Sequence, residues 1–135
     1  MKRRRHGMRT LSVIAGLTGA LLLAACDDGG PSGPGAYTVR VENSESPPSG
    51  AVLELYGKGI TGVSSSGSTR VFSVPLTGRS GVRVVAVNPL SGPVEFRIEV
   101  KDLGRDVPRG EVLEATDAQN LPSQAVSRYK VRVFR

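Results

Sequence analysis

From Ala36 onward the chain alternates apolar and polar side chains with the two-residue period of strands, and a helical period is weak. Tyr37–Glu42 places Tyr37, Val39 and Val41 on one face. Ala51–Tyr56, Thr69–Val74 and Val82–Val87 predict three more strands. Val94–Lys101 alternates most cleanly, with four apolar residues on one face and Glu95, Arg97, Glu99 and Lys101 on the other. Glu111–Thr116 predicts a sixth strand, with a short helix as the alternative, and Arg128–Val133 predicts a seventh. Proline lacks a ladder donor and glycine supplies turn angles, and both fall between these runs, from Pro47-Pro48 through Gly78 and Gly81 to Pro122. The segment Asn88–Pro93 is expected to join the fourth and fifth strands as a hairpin.

Seven short strands over residues 37–135 predict an all-β, two-sheet sandwich. In architecture this resembles immunoglobulin-like and cohesin-like domains, although the chain has no Trp and lacks the paired cysteines of antibody domains. Gly50-Ala51-Val52-Leu53-Glu54-Leu55 and Ser91-Gly92-Pro93-Val94-Glu95-Phe96 are also similar to stretches in small lipoproteins of bacterial envelopes, a likeness that implies no activity.

The N-terminal pattern is different. Lys2, Arg3, Arg4, Arg5 and Arg9 precede 15 uncharged residues, Leu11–Ala25, and charge resumes at Asp27 and Asp28. Such a run is too short for the roughly 20 residues a spanning helix needs, and it matches the apolar region of a signal peptide. Leu23-Ala24-Ala25-Cys26 resembles the lipobox of bacterial lipoproteins. The resemblance covers residues 1–26 and implies cleavage before Cys26, lipid on its sulfur, and an envelope location outside the cytoplasm, at the inner or outer membrane. The domains expected are therefore a signal peptide (1–25), a lipidated Cys26 with a Gly/Pro-rich tether (26–36), and the sandwich (37–135).

Processing changes the charge. The full chain carries +6, but five cations leave with the leader, and 13 basic residues then face 12 acidic ones. A near-neutral domain has no general attraction for phosphate backbones, so nucleic acid is not an expected partner. The only His, His6, leaves as well, and lipidation occupies the only thiol. Catalysis by Cys–His or Ser-His-Asp, and metal sites built on His or Cys, are excluded for the mature chain. No cofactor is expected beyond the lipid, and no metal.

Candidate sites are few. Val82–Val87 is apolar on both faces except at Arg83. It offers either a docking patch or a central strand whose outer face is covered by the 57–68 loop, and the covered strand is the expectation. Arg128, Lys130 and Arg132 share a face of the last strand. They form a candidate surface for anionic headgroups or a glycan, against edge protection or pairing with carboxylates such as Glu95 and Glu99. Gly57–Ser68 has glycines and Lys58 but not the ending of a phosphate loop, and reads as a flexible loop. Glu95 and Glu99, four residues apart, stand about 13 Å apart along a strand, too far for a glycosidase pair. Asp102 and Asp106 flank a turn without a calcium-loop pattern. Tyr37 and Tyr129 face inward. The expected function is a non-catalytic binding or scaffolding module at the membrane surface, engaging an envelope protein or glycan. The alternative is an enzyme or enzyme accessory using carboxylates or a Ser–Lys pair involving Lys58 or Lys101.

Overall fold

The computed structural model describes residues 30, 32–90, 92–105 and 107–135. The leader with His6, the lipobox Leu23, Ala24, Ala25 and Cys26, and Ser91 and Asp106 lie outside the described residues.

Among the described residues eight strands form: β1 (Gly35–Glu42), β2 (Gly50–Tyr56), β3 (Ile60–Ser65), β4 (Arg70–Pro75), β5 (Gly81–Val87), β6 (Val94–Val100), β7 (Arg109–Thr116) and β8 (Lys130–Phe134). A 3-10 turn, Val126–Arg128, precedes β8. Two four-stranded sheets pack face to face, ordered β3-β6-β1-β8 and β4-β5-β2-β7, and every pairing is antiparallel.

The alternation read from the sequence decides what faces the interior. Val39 and Val41 of β1, Leu53 and Leu55 of β2, Val84 and Ala86 of β5, and all four apolar residues of β6 are fully buried. Phe96 is the largest of these side chains, and burying such a ring stabilises the fold by about 1.5–3 kcal/mol. Tyr37 and Tyr129 are buried as expected, and the Tyr37 hydroxyl donates to the Leu103 carbonyl. The strand orders β4-β5-β2 and β3-β6 match the middle of an immunoglobulin constant domain. The ends differ. Here β1 fills the place beside β6, β7 fills the place beside β2, and β8 extends the first sheet.

Three expectations are corrected. First, residues 60–65 of the expected 57–68 loop are a strand, β3, paired with β6. Its pattern is masked by a bulge between Ile60 and Gly62, which lets Ile60 and Val63 both pack against the core although they are three residues apart. Second, Asn88–Pro93 is not a hairpin. It carries the chain from β5 in one sheet to β6 in the other. Buried Asn88 holds this crossing: its amide donates to the Pro93 carbonyl, and its Oδ1 accepts from Leu90 N–H and the Ser68 hydroxyl. Third, nothing from residues 57–68 covers the outer face of β5, since β3 belongs to the opposite sheet.

Candidate functional site

The uncovered outer face of the β4-β5-β2-β7 sheet divides into two halves. Registers place Phe72, Val85 and Val52 in one row across three strands, with Arg70, Val87 and Gly50 in the next row. Phe72 is 69% exposed, Val74 59%, Val85 40% and Val87 41%. Phe72, Val85 and Val87 are large apolar side chains in one area, and Val74, opposite Arg83, borders it on the polar side; such an area is uncommon on monomers and associated with binding.

Beside this row lies an open, mostly apolar groove of about 410 Å³, lined by Gly50, Val52, Val85, Val87, Thr116, Pro122 and Val126. Its far wall is the segment joining β7 to β8, which is held firmly. Ser123 N–H donates to the Ala115 carbonyl at 2.8 Å, and Asp117 Oδ1 accepts from Gln119 and Leu121 N–H at 2.9 Å each. Asn120 takes a left-handed conformation, φ 64°, which its short polar side chain tolerates. Buried Ser49 ties the same segment to β2, lying 2.8 Å from Thr116 Oγ1 and donating to the Asp117 carbonyl.

The other half of the face is polar. Arg83 of β5 meets Glu54 of β2 in register and donates from both Nε and Nη2 to Oε1. The Tyr56 hydroxyl lies 2.6 Å from Glu54 Oε2 and 2.7 Å from Glu111 Oε1. One phenolic proton thus serves two carboxylates. The hydrogen bond from Tyr56, then those from Arg83, hold Glu54 below the usual carboxyl range, and the two acceptors push the Tyr56 phenol above its ordinary value. A glycosidase pair needs open space for a sugar between its carboxyl groups. Here the Tyr56 hydroxyl fills that space and Arg83 neutralises Glu54.

The opposite sheet presents a mosaic of paired charges. Arg40 holds Glu95 at 2.6 Å, Arg132 reaches Glu42 at 3.4 Å, and Arg128 reaches Glu45 at 2.7 Å. Arg128 sits in the 3-10 turn, apart from Lys130 and Arg132 on edge strand β8, and Lys130 stands opposite Glu42. The carboxylates facing this row are thus Glu42 and Glu45, whereas Glu95 faces Arg40. Exposed pairs of this kind contribute about 0–1 kcal/mol each. Lys58 and Lys101 lie at the end of the sheet where β3 begins, and Lys101 N–H donates to the Gly59 carbonyl. Asp102 fixes the segment that leads into β1. Its Oδ1 accepts from Gly104 and Gly33 N–H, which holds the carboxyl below its usual range. Among the described residues no three His, Cys, Asp or Glu group together in a way that could hold a metal ion.

The sequence exposed one part of this site and hid the other. Val82–Val87 was legible as doubly apolar. The Glu54–Tyr56–Glu111–Arg83 cluster was not, because it exists only once β5, β2 and β7 are neighbours. Outward Glu54 opposite Arg83 is a sign only for a reader who already knows the register.

The class these observations define is a two-sheet antiparallel β-sandwich with one charged outer face and one partly apolar outer face. No protein-family model, curated protein or solved structure matches the chain significantly.

Proposed function

We propose that this chain is a lipid-anchored, non-catalytic binding module of the bacterial envelope. Its docking surface is the apolar groove between β5, β2 and the segment joining β7 to β8, and its occupant is an envelope protein offering an apolar segment to that groove. The supporting observation is where the groove lies. β1 runs from Gly35 to Glu42, about 23 Å at strand rise, and the link 43–49 returns the chain to Gly50 at the same end. Gly50 and Val87, which line the groove, therefore sit at the end away from Gly35, where the tether to Cys26 departs. With lipid on Cys26, the groove is directed away from the headgroups and toward other proteins.

The catalytic alternative draws on Glu54 and Glu111, the described carboxylates that share a hydrogen-bonding partner. It is weakened by the Tyr56 hydroxyl lodged between them and by the open surface on which they stand. The Val85 position separates the readings. A photo-crosslinking residue placed at Val87 of the full chain in cells is expected to capture one discrete envelope protein. The same residue at Arg97, on the charged face, is expected to capture none. The captured protein, once identified and purified, should bind the wild-type chain and fail to bind Val85→Lys. Equal capture from both faces, or unchanged binding by Val85→Lys, would refute the proposal.

A further inference from the structure

The two sheets have four edges, and three carry devices that discourage pairing. β3 is bulged and polar toward its end, with Ser64 and Ser65. β7 is bulged opposite Val52 and Leu53 and carries Arg109, Glu111 and Glu114. β8 carries Lys130 and Arg132. Natural edges are usually blunted in just these ways. β4 has such devices only at its ends, Arg70 and Pro75. Its middle reads Val71-Phe72-Ser73-Val74, with no charge and no bulge, and Phe72 and Val74 are its most exposed large apolar residues.

The backbone shows which groups this edge leaves open. Leu76 N–H donates to the Gly81 carbonyl, so Leu76 and Gly81 form a hydrogen-bonded pair. Antiparallel pairs alternate, so Val74, Phe72 and Arg70 also bond toward β5. Val71 and Ser73 must then direct their N–H and C=O groups outward, where no strand among the described residues pairs with them. Beyond them the edge closes itself. Pro75 has no N–H, and Thr69 N–H is already given to the Ser66 carbonyl.

We propose that this edge pairs with the same edge of a second copy of the chain, antiparallel and centred on Phe72. The pattern is self-complementary. Val71 of each copy exchanges two hydrogen bonds with Ser73 of the other, four in all. Each Pro75, without a donor, falls opposite a Thr69 whose donor is spent. Arg70 faces Val74, so no like charges meet, and the two Arg70 residues stay about 13 Å apart. The two Phe72 rings meet at a non-hydrogen-bonded site, where side chains approach most closely. The row Val52-Val85-Phe72 then continues into its symmetry mate, and two four-stranded sheets become one of eight strands. A six-residue edge buries less than the roughly 800 Å² per partner of a standard stable interface, so the dimer is weak and concentration-dependent. It involves the β4 edge, while the groove lies toward β7, and the two proposals stand or fall separately.

Disulfide trapping of the purified full chain in detergent tests the register. Phe72→Cys places two thiols on the symmetry axis, with Cα atoms about 4.5–5.5 Å apart, within disulfide range. Val74→Cys places them about 13 Å apart, and Leu121→Cys provides an exposed position on the far side of the sheet. The wild-type chain reports any link through Cys26. The expected result is a covalent dimer from Phe72→Cys, rising with concentration, and several-fold less from the other two. Adding Ser73→Pro to Phe72→Cys removes an outward N–H that the isolated domain does not use, a change edge strands tolerate. It should cut trapping by about tenfold, since two of the four bonds are lost, while circular dichroism verifies the fold. Equal trapping at positions 72, 74 and 121, or trapping indifferent to Ser73→Pro in a folded chain, would overturn the proposal.

Discussion

Leu55 is fully buried near the end of central strand β2, with a glycine close to it in each neighbouring strand, and the two glycines should fail in different ways. Gly110 of β7 stands opposite Leu55 in register. A β-carbon there would lie 2.6 Å from Leu55 Cδ2 and 2.8 Å from Val131 Cγ1, because β7 and β8 approach closely where the two sheets meet. Both obstacles are side-chain methyl groups. Gly110→Ala should therefore act as overpacking, at about 1–3 kcal/mol, a fall in Tm of about 4–20 °C for a domain of this size. Val131→Ala alone should cost about 1–2 kcal/mol of lost burial. Combined, the two changes should cost less than their sum by at least about 0.5 kcal/mol, because truncating Val131 clears one obstacle. Gly81 is different. Its φ is 156°, and a β-carbon there would lie 2.3 Å from the Leu55 carbonyl oxygen, which is main chain in a central strand. No side-chain truncation relieves that contact, so Gly81→Ala should be the more damaging change and should resist rescue. Thermal and urea melts of the full chain, followed by circular dichroism, measure all four variants. Strict additivity of Gly110→Ala and Val131→Ala, or a Gly81→Ala milder than Gly110→Ala, would refute this account of how the sheets close.

Three further outcomes are expected. Asn88→Ala leaves the Pro93 carbonyl, Leu90 N–H and the Ser68 hydroxyl without their buried partner, and should lower stability by about 2–4 kcal/mol in a urea melt. Glu54 is held below its ordinary value of 4.5, so its contribution to stability is full above that pH and is lost as pH falls through the lower folded value. Tm measured on lowering the pH through and below 4.5 should therefore fall less steeply for Glu54→Gln than for the wild type, and parallel curves would count against the Arg83–Glu54–Tyr56 contacts. Cys26→Ser should abolish incorporation of labelled palmitate and leave unprocessed precursor in cells; normal maturation would remove the anchor from the proposed function.

Much of the sandwich was readable because alternation is a local property. Successive side chains on extended backbone point to opposite sides, so Val94, Phe96, Ile98 and Val100 declared one buried face before any partner was known. The reading failed where a bulge breaks the two-residue count. Ile60 and Val63, three apart, concealed β3. Val112 and Ala115 carry the same offset in β7, where Leu113 is the extra residue, although flanking Glu and Val still marked that strand.

Pairing was beyond the sequence, because it joins residues dozens of positions apart through backbone hydrogen bonds that look alike for any side chain. For that reason Asn88–Pro93 read as a hairpin when it crosses between sheets. It is also why the outer face of β5 seemed to have a cover. The residue pattern determined an all-β chain, the positions of most strands, and an inward Tyr37 and Tyr129. Only the tertiary structure decided which edges are open, that Phe72, Val85 and Val52 form one apolar row, and that Tyr56 shares its proton between Glu54 and Glu111. Each of those depends on strand order and register, which are settled by how both sheets bury their inner faces together.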